Sequence, residues 1–270
     1  MQITYATEAA PGHVNEDRAV CGPGWAVVLD GATAPEGVDS GCIHDVSWLV
    51  SHLAAAITRR MLLDGGDLQG VLADAIWELR KAHGVTCDLE NPDSPSSTVS
   101  IVLVSGGALD YLTLGDSPIV VRAPGEGLTV ISDDRLSNLP GGRPYSRELV
   151  RSLRNRPGGF WVASTDPEAA REAVAGSMPY AGDAEIGMFT DGASRLVEHY
   201  GYEWEQVFSV LETTGPAGLI SLVRSAELDR PLGSYYKQHD DATVVLITGD
   251  RLGSVAEARR PVNWRSLVGL

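Results

Sequence analysis

Hydrophobic residues at three- and four-residue steps predict two neighbouring helices in the first third of the chain. The first runs from about Cys42 to Leu63, and the second is centred on Val71 to Leu79. This spacing places the apolar side chains on one face of a helix. Because a tight Asp64-Gly65-Gly66 turn separates them, the two helices are expected to pack as an antiparallel pair. A further helical region is predicted from about Ala193 to Leu228.

Short apolar runs bounded by Gly, Pro and Asp predict β-strands. They cover residues 24–30, 96–107, 108–122, 128–134, 184–192 and 242–248. The central strands follow one another through hairpin-length turns, so they must be antiparallel. Helix pairs flank the runs of strands, which favours one domain with sheets inside and helices outside. Residues 139–182 are harder to assign, with a helix predicted near Arg147 to Arg154 and a helical patch after Pro167.

Composition and charge narrow the function classes. A hydrophobic fraction of 43% is typical of a soluble globular protein. The chain has 36 acidic and 21 basic residues, for a net charge of -15, which disfavours general binding to nucleic acid or to anionic membranes. Such a chain suits a divalent cation where several carboxylates converge.

Targeting signals and cysteine pairs are not evident in the sequence. The N-terminus has neither a basic region nor an apolar core, and no apolar run reaches the roughly 18 residues of a membrane span. The three cysteines, Cys21, Cys42 and Cys87, are too far apart in sequence to indicate a paired metal-ligand motif. We therefore expect a cytoplasmic protein whose cysteines are structural.

Aspartates recur at the ends of predicted strands. Asp30 ends one strand, Asp191 ends another, Asp240 precedes the last, and Asp116 lies between two strands. Asp17 precedes the first predicted strand. Carboxylates gathered at one edge of a sheet repel one another unless a cation neutralises them, and oxygen ligands select Mg²⁺ or Mn²⁺. A single Asp-Gly is more often an ordinary turn, so the residues alone leave metal binding and turn formation as alternatives.

Six short motifs in order resemble the metal-dependent protein phosphatases of the protein phosphatase 2C (PPM) type, especially the compact bacterial members. The motifs are Asn-Glu-Asp at 15–17, Leu-Asp-Gly at 29–31, Ser-Ser-Thr at 96–98, Gly-Asp-Ser at 115–117, Thr-Asp-Gly at 190–192 and Asp-Asp-Ala-Thr at 240–243. The resemblance covers a predicted domain over 1–249, with a flap-like insert at about 139–182 and a C-terminal tail at 250–270. It implies an α+β fold, a four-layer α-β-β-α sandwich of two antiparallel sheets flanked by helix pairs.

The resemblance also implies a two-metal centre holding Mn²⁺ or Mg²⁺ at one end of the sandwich. Asp30 would bridge the metals and the Gly31 carbonyl would ligate the second, while Asp191 and Asp240 would complete the first. Glu16 and Asp17 would act through water and hydrogen bonds, and Asp116 would join Asp191 at a third, weaker site. The implied reaction is hydrolysis of phosphoserine and phosphothreonine in bacterial signalling, by attack of a metal-bridging hydroxide.

Three departures from the family pattern affect these expectations. The arginine that often binds phosphate is replaced by Gly12, with His13 beside it as a substitute ligand or a plain loop residue. The loop after Asp-Gly is rewritten and contains Thr33, a second candidate substrate contact. Pro118 replaces an arginine after Gly-Asp-Ser, which threatens local packing more than catalysis.

The insert carries a concentration of basic residues in an otherwise acidic chain. They are Arg143, Arg147, Arg151, Arg154 and Arg156. Recruitment of an anionic or phosphorylated partner and a merely solvated helix face are equally good interpretations. His239 borders Asp240 and is either a substrate contact or a solvated loop residue.

Two alternatives to a protein phosphatase stay open at this point. One is a phosphatase of a small phosphorylated metabolite, suggested by the missing arginine and the altered loop. The other is a catalytically weak regulatory or binding module on the same fold, which the intact Asp30, Asp191 and Asp240 disfavour. The sequence does not indicate the oligomeric state.

Overall fold

A computed structural model of the chain describes residues 1–32, 37–63, 65–142, 144–233 and 237–249. The expectations for Thr33, Arg143 and the tail at 250–270 lie outside these residues.

The strands form two antiparallel sheets of five strands each. The first sheet contains β1 (Gln2–Glu8), β6 (Ile119–Ala123), β7 (Gly127–Ile131), β9 (Glu185–Phe189) and β10 (Ala242–Thr248), in the order β1-β10-β9-β6-β7. The second contains β2 (Arg18–Gly22), β3 (Trp25–Ala32), β4 (Ser96–Ser105), β5 (Ala108–Leu114) and β8 (Val174–Pro179), in the order β2-β3-β4-β5-β8.

Helix pairs cover the outer faces of both sheets. Helices α1 (Val46–Leu63) and α2 (Leu68–Ala82) pack on the second sheet. A short α3 (Arg147–Leu153) and a 3-10 helix (Pro167–Glu172) follow, and then α4 (Asp191–Glu198) and α5 (Trp204–Asp229) pack on the first sheet. None of these helices is long and apolar enough to cross a membrane.

Alternation along the strands builds the layers. On β3, Val27 and Leu29 face α1 and α2, whereas Ala26 and Val28 face the other sheet. The same alternation on β10 sends Val244 outward to α5 and Val245 inward. Successive side chains of a strand point to opposite faces, so an unbroken apolar run is what a strand buried on both faces requires. The predicted four-layer α-β-β-α sandwich is confirmed.

Two local features differ from the expected helices. Helix α1 begins at Val46, not Cys42, because the Asp45 carboxylate accepts a hydrogen bond from the Trp48 backbone N–H at 2.7 Å and caps the helix there. Asp45 thus lies at the helix start. Helix α5 bends at Gly215, which has a non-helical φ of 70° and is followed by Pro216.

The expected irregular stretch at 139–182 contains a strand. Its last part forms β8, which pairs with β5 at the edge of the second sheet. Strands β1 and β2 were also not predicted. We use the word flap for the part of this stretch around α3. It has a small apolar core of its own that contains Leu139, Phe160 and Val162.

Candidate metal centre and its cleft

Four aspartates from separate chain segments meet at one end of the sandwich. Asp30 lies near the end of β3, Asp116 in the turn between β5 and β6, Asp191 at the start of α4, and Asp240 just before β10. All four, with Gly31, line one cleft of about 450 Å³. The fold therefore brings together the acids that the sequence singled out at strand ends.

The carboxylate of Asp30 lies at the centre of this group. The Asp191 backbone N–H reaches its Oδ2 at 3.3 Å. Burial, together with the negative charges of Asp191, Asp17, Asp240 and Asp116, raises the pKa of Asp30 well above its usual range. A carboxylate held in this way is stabilised in its ionised form by a nearby cation.

Asp17 is buried beside the cleft with one oxygen unsatisfied. Its side chain is 1% exposed, and Oδ2 accepts a hydrogen bond from Thr190 Oγ1 at 2.9 Å. Its Oδ1 has no hydrogen-bond partner, and burial raises the pKa of Asp17 to about 7. Buried acceptors are nearly always paired in folded proteins, so this oxygen fits an interaction with a bound water or cation.

Glu16 and His13 line a neighbouring cavity instead of the acid-lined cleft. That cavity, of about 510 Å³, is also bordered by His239, Asp240 and Asp241. His13 itself is exposed. Glu16 and His13 therefore approach the acid cluster from the side of Asp240.

Two glycines allow the ligand segments to pass close to other backbone. A Cβ on Gly31 would clash with Val46 and with the Glu16 carbonyl. A Cβ on Gly192 would collide with the carbonyl of Asp241. Each Asp-Gly pair thus couples a candidate metal ligand to a close contact that excludes any larger residue.

A buried glutamate organises the segment that carries Asp240. Glu227 of α5 accepts hydrogen bonds from Arg195 Nη1 at 2.5 Å, from Arg224 Nη1 at 3.1 Å and from His239 Nδ1 at 2.7 Å. Gln238 Nε2 donates to the Glu227 carbonyl at 2.7 Å. His239 is therefore half-buried and anchors this segment. This role differs from both sequence interpretations, a substrate contact and a solvated loop residue.

The turn that carries Asp116 is held by buried hydroxyl and carboxylate groups. Asp133 Oδ2 accepts from the Gly115 N–H at 3.1 Å and pairs with Arg135 at 2.6 Å. Ser117 Oγ lies 2.6 Å from Thr98 Oγ1. Pro118 is buried, and its carbonyl accepts a hydrogen bond from the Phe189 N–H at 3.1 Å. Local packing at Pro118 is intact, so the expected weakness there is not found.

Arginines of the flap line the same cleft as the acids. Arg151 forms an ion pair with Asp93, and Arg154 Nη1 donates to the carbonyls of Pro92 and Ser94, each at 2.8 Å. Burial lowers the pKa of Arg154 to about 10. Arg147 is 45% exposed and lies 4.0 Å from Asp93. Arg147, Arg151 and Arg154 line the cleft, while the exposed Arg156 does not.

Lys237 is a cleft residue that the sequence analysis did not identify. Its Nζ lies 3.2 Å from Asp240 Oδ2, and the side chain is 73% exposed. The positive charge therefore stands among the acids at the mouth of the cleft. A lone lysine carries no motif, so its location could not be inferred without the fold.

A second cluster was missed because its members are distant in sequence. Among the described residues, one group of potential metal ligands has all its ligand atoms within 4.8 Å of one another, and it consists of Cys42, His44, His83 and Cys87. The wide sequence spacing of Cys42 and Cys87 therefore gave no indication that the fold brings them together. The expectation that the cysteines are structural stays a prediction. The spacings Cys-x-His at 42–44 and His-x₃-Cys at 83–87 were the available signal.

Comparison with known proteins identifies the family. The protein phosphatase 2C family model matches residues 9–232, so the chain belongs to the protein phosphatase 2C family. No curated protein matches the sequence.

Solved structures share the fold at low identity. The Mycobacterium tuberculosis serine/threonine phosphatase PstP is 18% identical, with a TM-score of 0.58 over 91% of this chain and 97% of that one. PppA of Pseudomonas aeruginosa, described as a key regulatory component of T6SS, is 16% identical, with a TM-score of 0.59 over 92% and 97%. A PstP catalytic domain solved with two manganese ions is 17% identical, with a TM-score of 0.58 over 91% and 96%.

Replacing Asp241 with asparagine tests how the N-terminal segment is held against the site. Asp241 accepts from the Ala10 N–H at 2.7 Å and from the Glu16 N–H at 2.6 Å, so an asparagine retains one acceptor and turns an N–H₂ toward the other donor. We expect Asp241→Asn to lower the free energy of unfolding by about 2 kcal/mol, the scale of a hydrogen bond to a charged group. Urea unfolding measures this difference.

The matched control is Asp229→Asn, at an exposed position at the end of α5. Its unfolding free energy should stay within about 0.5 kcal/mol of the wild type. Equal stability of the two variants would contradict the positioning role of Asp241.

Proposed function

We propose that the protein is a metal-dependent phosphatase that hydrolyses phosphoserine and phosphothreonine in proteins. The observation that carries the proposal is the meeting of Asp30, Asp116, Asp191 and Asp240 around one cleft. Membership of the protein phosphatase 2C family supports it.

The donor set favours two Mg²⁺ or Mn²⁺ ions. Asp30 and the Gly31 carbonyl, together with Asp191 and Asp240, supply oxygen atoms alone, which hard divalent cations prefer. Asp116 with Asp191 is the candidate for a third, weaker site. Mg²⁺ in protein sites usually keeps several of its waters, so these acids do not have to supply every ligand.

Two divalent cations, when bound, would supply a water of lowered pKa and positive charge for the phosphate oxygens. The protein's own groups position what enters the cleft. Asp17 Oδ1 is a buried acceptor without a partner and is available to orient a water. Glu227, through His239 and Gln238, keeps the segment before β10 in place, so that Asp240 does not have to be ordered when the substrate binds.

Phosphate recognition rests on cations other than the family's usual arginine, whose place Gly12 occupies. Lys237 stands beside Asp240, and Arg147 lines the same cleft. Arg154 is committed to two backbone carbonyls and Arg151 pairs closely with Asp93, whereas Arg147 lies 4.0 Å from Asp93 and is the least tightly held of the three. A cationic flap next to the acid cluster suits an anionic, phosphorylated protein segment better than a neutral substrate.

Replacing Asp30 with asparagine tests the metal centre. Manganese-dependent hydrolysis of p-nitrophenyl phosphate should fall by more than the roughly 10–100-fold typical of losing an outer-shell partner. Because the substitution removes a carboxylate whose pKa burial and neighbouring acids raise, the metal-free variant should melt no lower than the metal-free wild type. The thermal stabilisation that added manganese gives the wild type should be lost.

Asp110→Asn, on a strand remote from the cleft, is the matched control and should keep both turnover and the manganese response. Near-normal turnover by Asp30→Asn would refute the centre. If the protein hydrolyses small phosphorylated metabolites but no phosphopeptide, the substrate is a metabolite and not a protein. If it binds manganese but hydrolyses nothing, it is a regulatory module.

Replacing Arg147 with alanine tests the flap. Loss of a charged contact to a phosphorylated segment should raise KM for a phosphopeptide about fivefold, equivalent to about 1 kcal/mol, with a smaller effect on p-nitrophenyl phosphate. Steady-state kinetics on both substrates measure the difference. Arg171→Ala, which removes an exposed cation paired with Glu168 outside the cleft, should change neither KM. If Arg147→Ala and the wild type have equal kinetics, Arg147 does not contact the substrate.

A further inference from the structure

Cys42, His44, His83 and Cys87 meet where the first helix pair joins the second sheet. Cys42 and His44 lie in the segment between β3 and α1, and His83 caps the C-terminus of α2. Cys87 lies in the loop that leads from α2 to β4. The cluster therefore connects two loops that are separated in sequence by helices α1 and α2.

The sulfur–nitrogen distances in the cluster are close to those of a tetrahedral site. Cys42 Sγ lies 3.4 Å from His83 Nδ1 and 3.6 Å from His44 Nδ1, and Cys87 Sγ lies 3.3 Å from His44 Nδ1. Zinc–sulfur and zinc–nitrogen bonds of about 2.3 and 2.0–2.1 Å give tetrahedral edges of about 3.6 Å between S and N. The two Sγ atoms are 2.9 Å apart and both cysteines are free, so a shift of about 1 Å reaches the edge of about 3.8 Å between sulfurs.

The imidazole of His83 is buried with only weak polar contacts. This imidazole is 3% exposed, its Nδ1 faces Cys42, and its Nε2 has no hydrogen-bond partner. Thiols are weak hydrogen-bond partners, so they compensate poorly for burying the ring. Coordination through Nδ1 would replace these weak contacts with a strong bond.

The ring of Trp48 packs against both histidines of the cluster. The Trp48 ring stacks on His44 with centroids 3.8 Å apart and an interplanar angle of 17°. It also lies 4.8 Å from the His83 ring. These ring contacts hold the two imidazoles in place, while Cys42, His44 and Cys87 stay partly exposed.

We propose that Cys42, His44, His83 and Cys87 bind one Zn²⁺ ion as a closed structural site. Two sulfur and two imidazole ligands select zinc over the hard cations that suit the aspartate cleft. Four protein ligands leave no position for water or substrate, so the site has no catalytic step. It is separate from the proposed metal centre in residues and in ligand type.

The zinc would fix one wall of the cleft. Near the cluster, the Asp88 N–H donates to the Gly41 carbonyl at 2.7 Å, and Asn91 Nδ2 reaches the Asp39 carbonyl at 3.3 Å. The same loop continues to Asp93, the partner of Arg151, and to the carbonyls that Arg154 binds. Tying Cys87 to Cys42 thus steadies the loop on which the flap rests.

Elemental analysis of the purified full chain tests the site. After desalting in magnesium buffer, the wild type should hold about one zinc per chain, and Cys42→Ser and Cys87→Ser should hold roughly fivefold less or lower still. Cys21→Ser is the matched control, because Cys21 lies on β2 outside the cluster, and it should keep its zinc. Asp30→Asn should also keep its zinc while losing turnover, which separates this site from the proposed phosphatase centre.

Cobalt provides a readout if the serine variants do not fold. Wild-type protein treated with a chelator and then given Co²⁺ should develop thiolate-to-cobalt charge-transfer bands and the visible spectrum of tetrahedral cobalt, and zinc should abolish both. The His52→Ala variant, altered at an exposed histidine that contacts Trp48 but lies outside the cluster, should give the same spectrum. Wild-type protein without zinc or a tetrahedral cobalt spectrum, or a Cys42–Cys87 disulfide found by mass spectrometry of the unreduced chain, would overturn the proposal.

Discussion

The repulsion among buried carboxylates at one end of the sandwich is the constraint on which the rest of the structure depends. Asp30, Asp17, Asp191 and Asp240 lie close enough for their charges and their burial to raise the pKa of Asp30. Folding must hold such groups together against their preference for water. The protein does so with rigid strand ends, with glycines that allow close backbone approach, and with buried supports such as Asp241 and Glu227.

Those supports explain why the site is spread over so much of the chain. Asp241 binds the backbone ahead of β2, Glu227 binds the segment ahead of β10, and Asp133 binds the turn that carries Asp116. Each support is itself an acid that accepts backbone or side-chain hydrogen bonds. The charge therefore forms two layers. One faces the cleft, and the other is already paired with N–H donors and arginines of the protein, so only the first is left for a metal ion.

The sequence predicted the inner strands, the edge strand β7 and the acids, but it did not predict the other three edge strands or the sulfur cluster. Strands β3, β4, β9 and β10 are buried on both faces, so their apolar runs are visible in the sequence. Strands β1, β2 and β8 lie at sheet edges with no buried residue, and their pattern is correspondingly weak. Aspartates at strand ends are recognisable locally, whereas the contact between Cys42 and Cys87 exists only because α1 and α2 pack antiparallel.

The loop between α2 and β4 links the cluster of Cys42, His44, His83 and Cys87 to the flap. One end lies at the Cys42–Cys87 contact, and the other supplies Asp93 and the carbonyls that hold Arg151 and Arg154. Strand β4 then continues to Thr98, which is paired with Asp30. A displacement of this loop would therefore move the flap cations relative to the aspartates. If Lys237 and the flap recognise the phosphate, as proposed, the position of this loop sets how those cations stand relative to the aspartates.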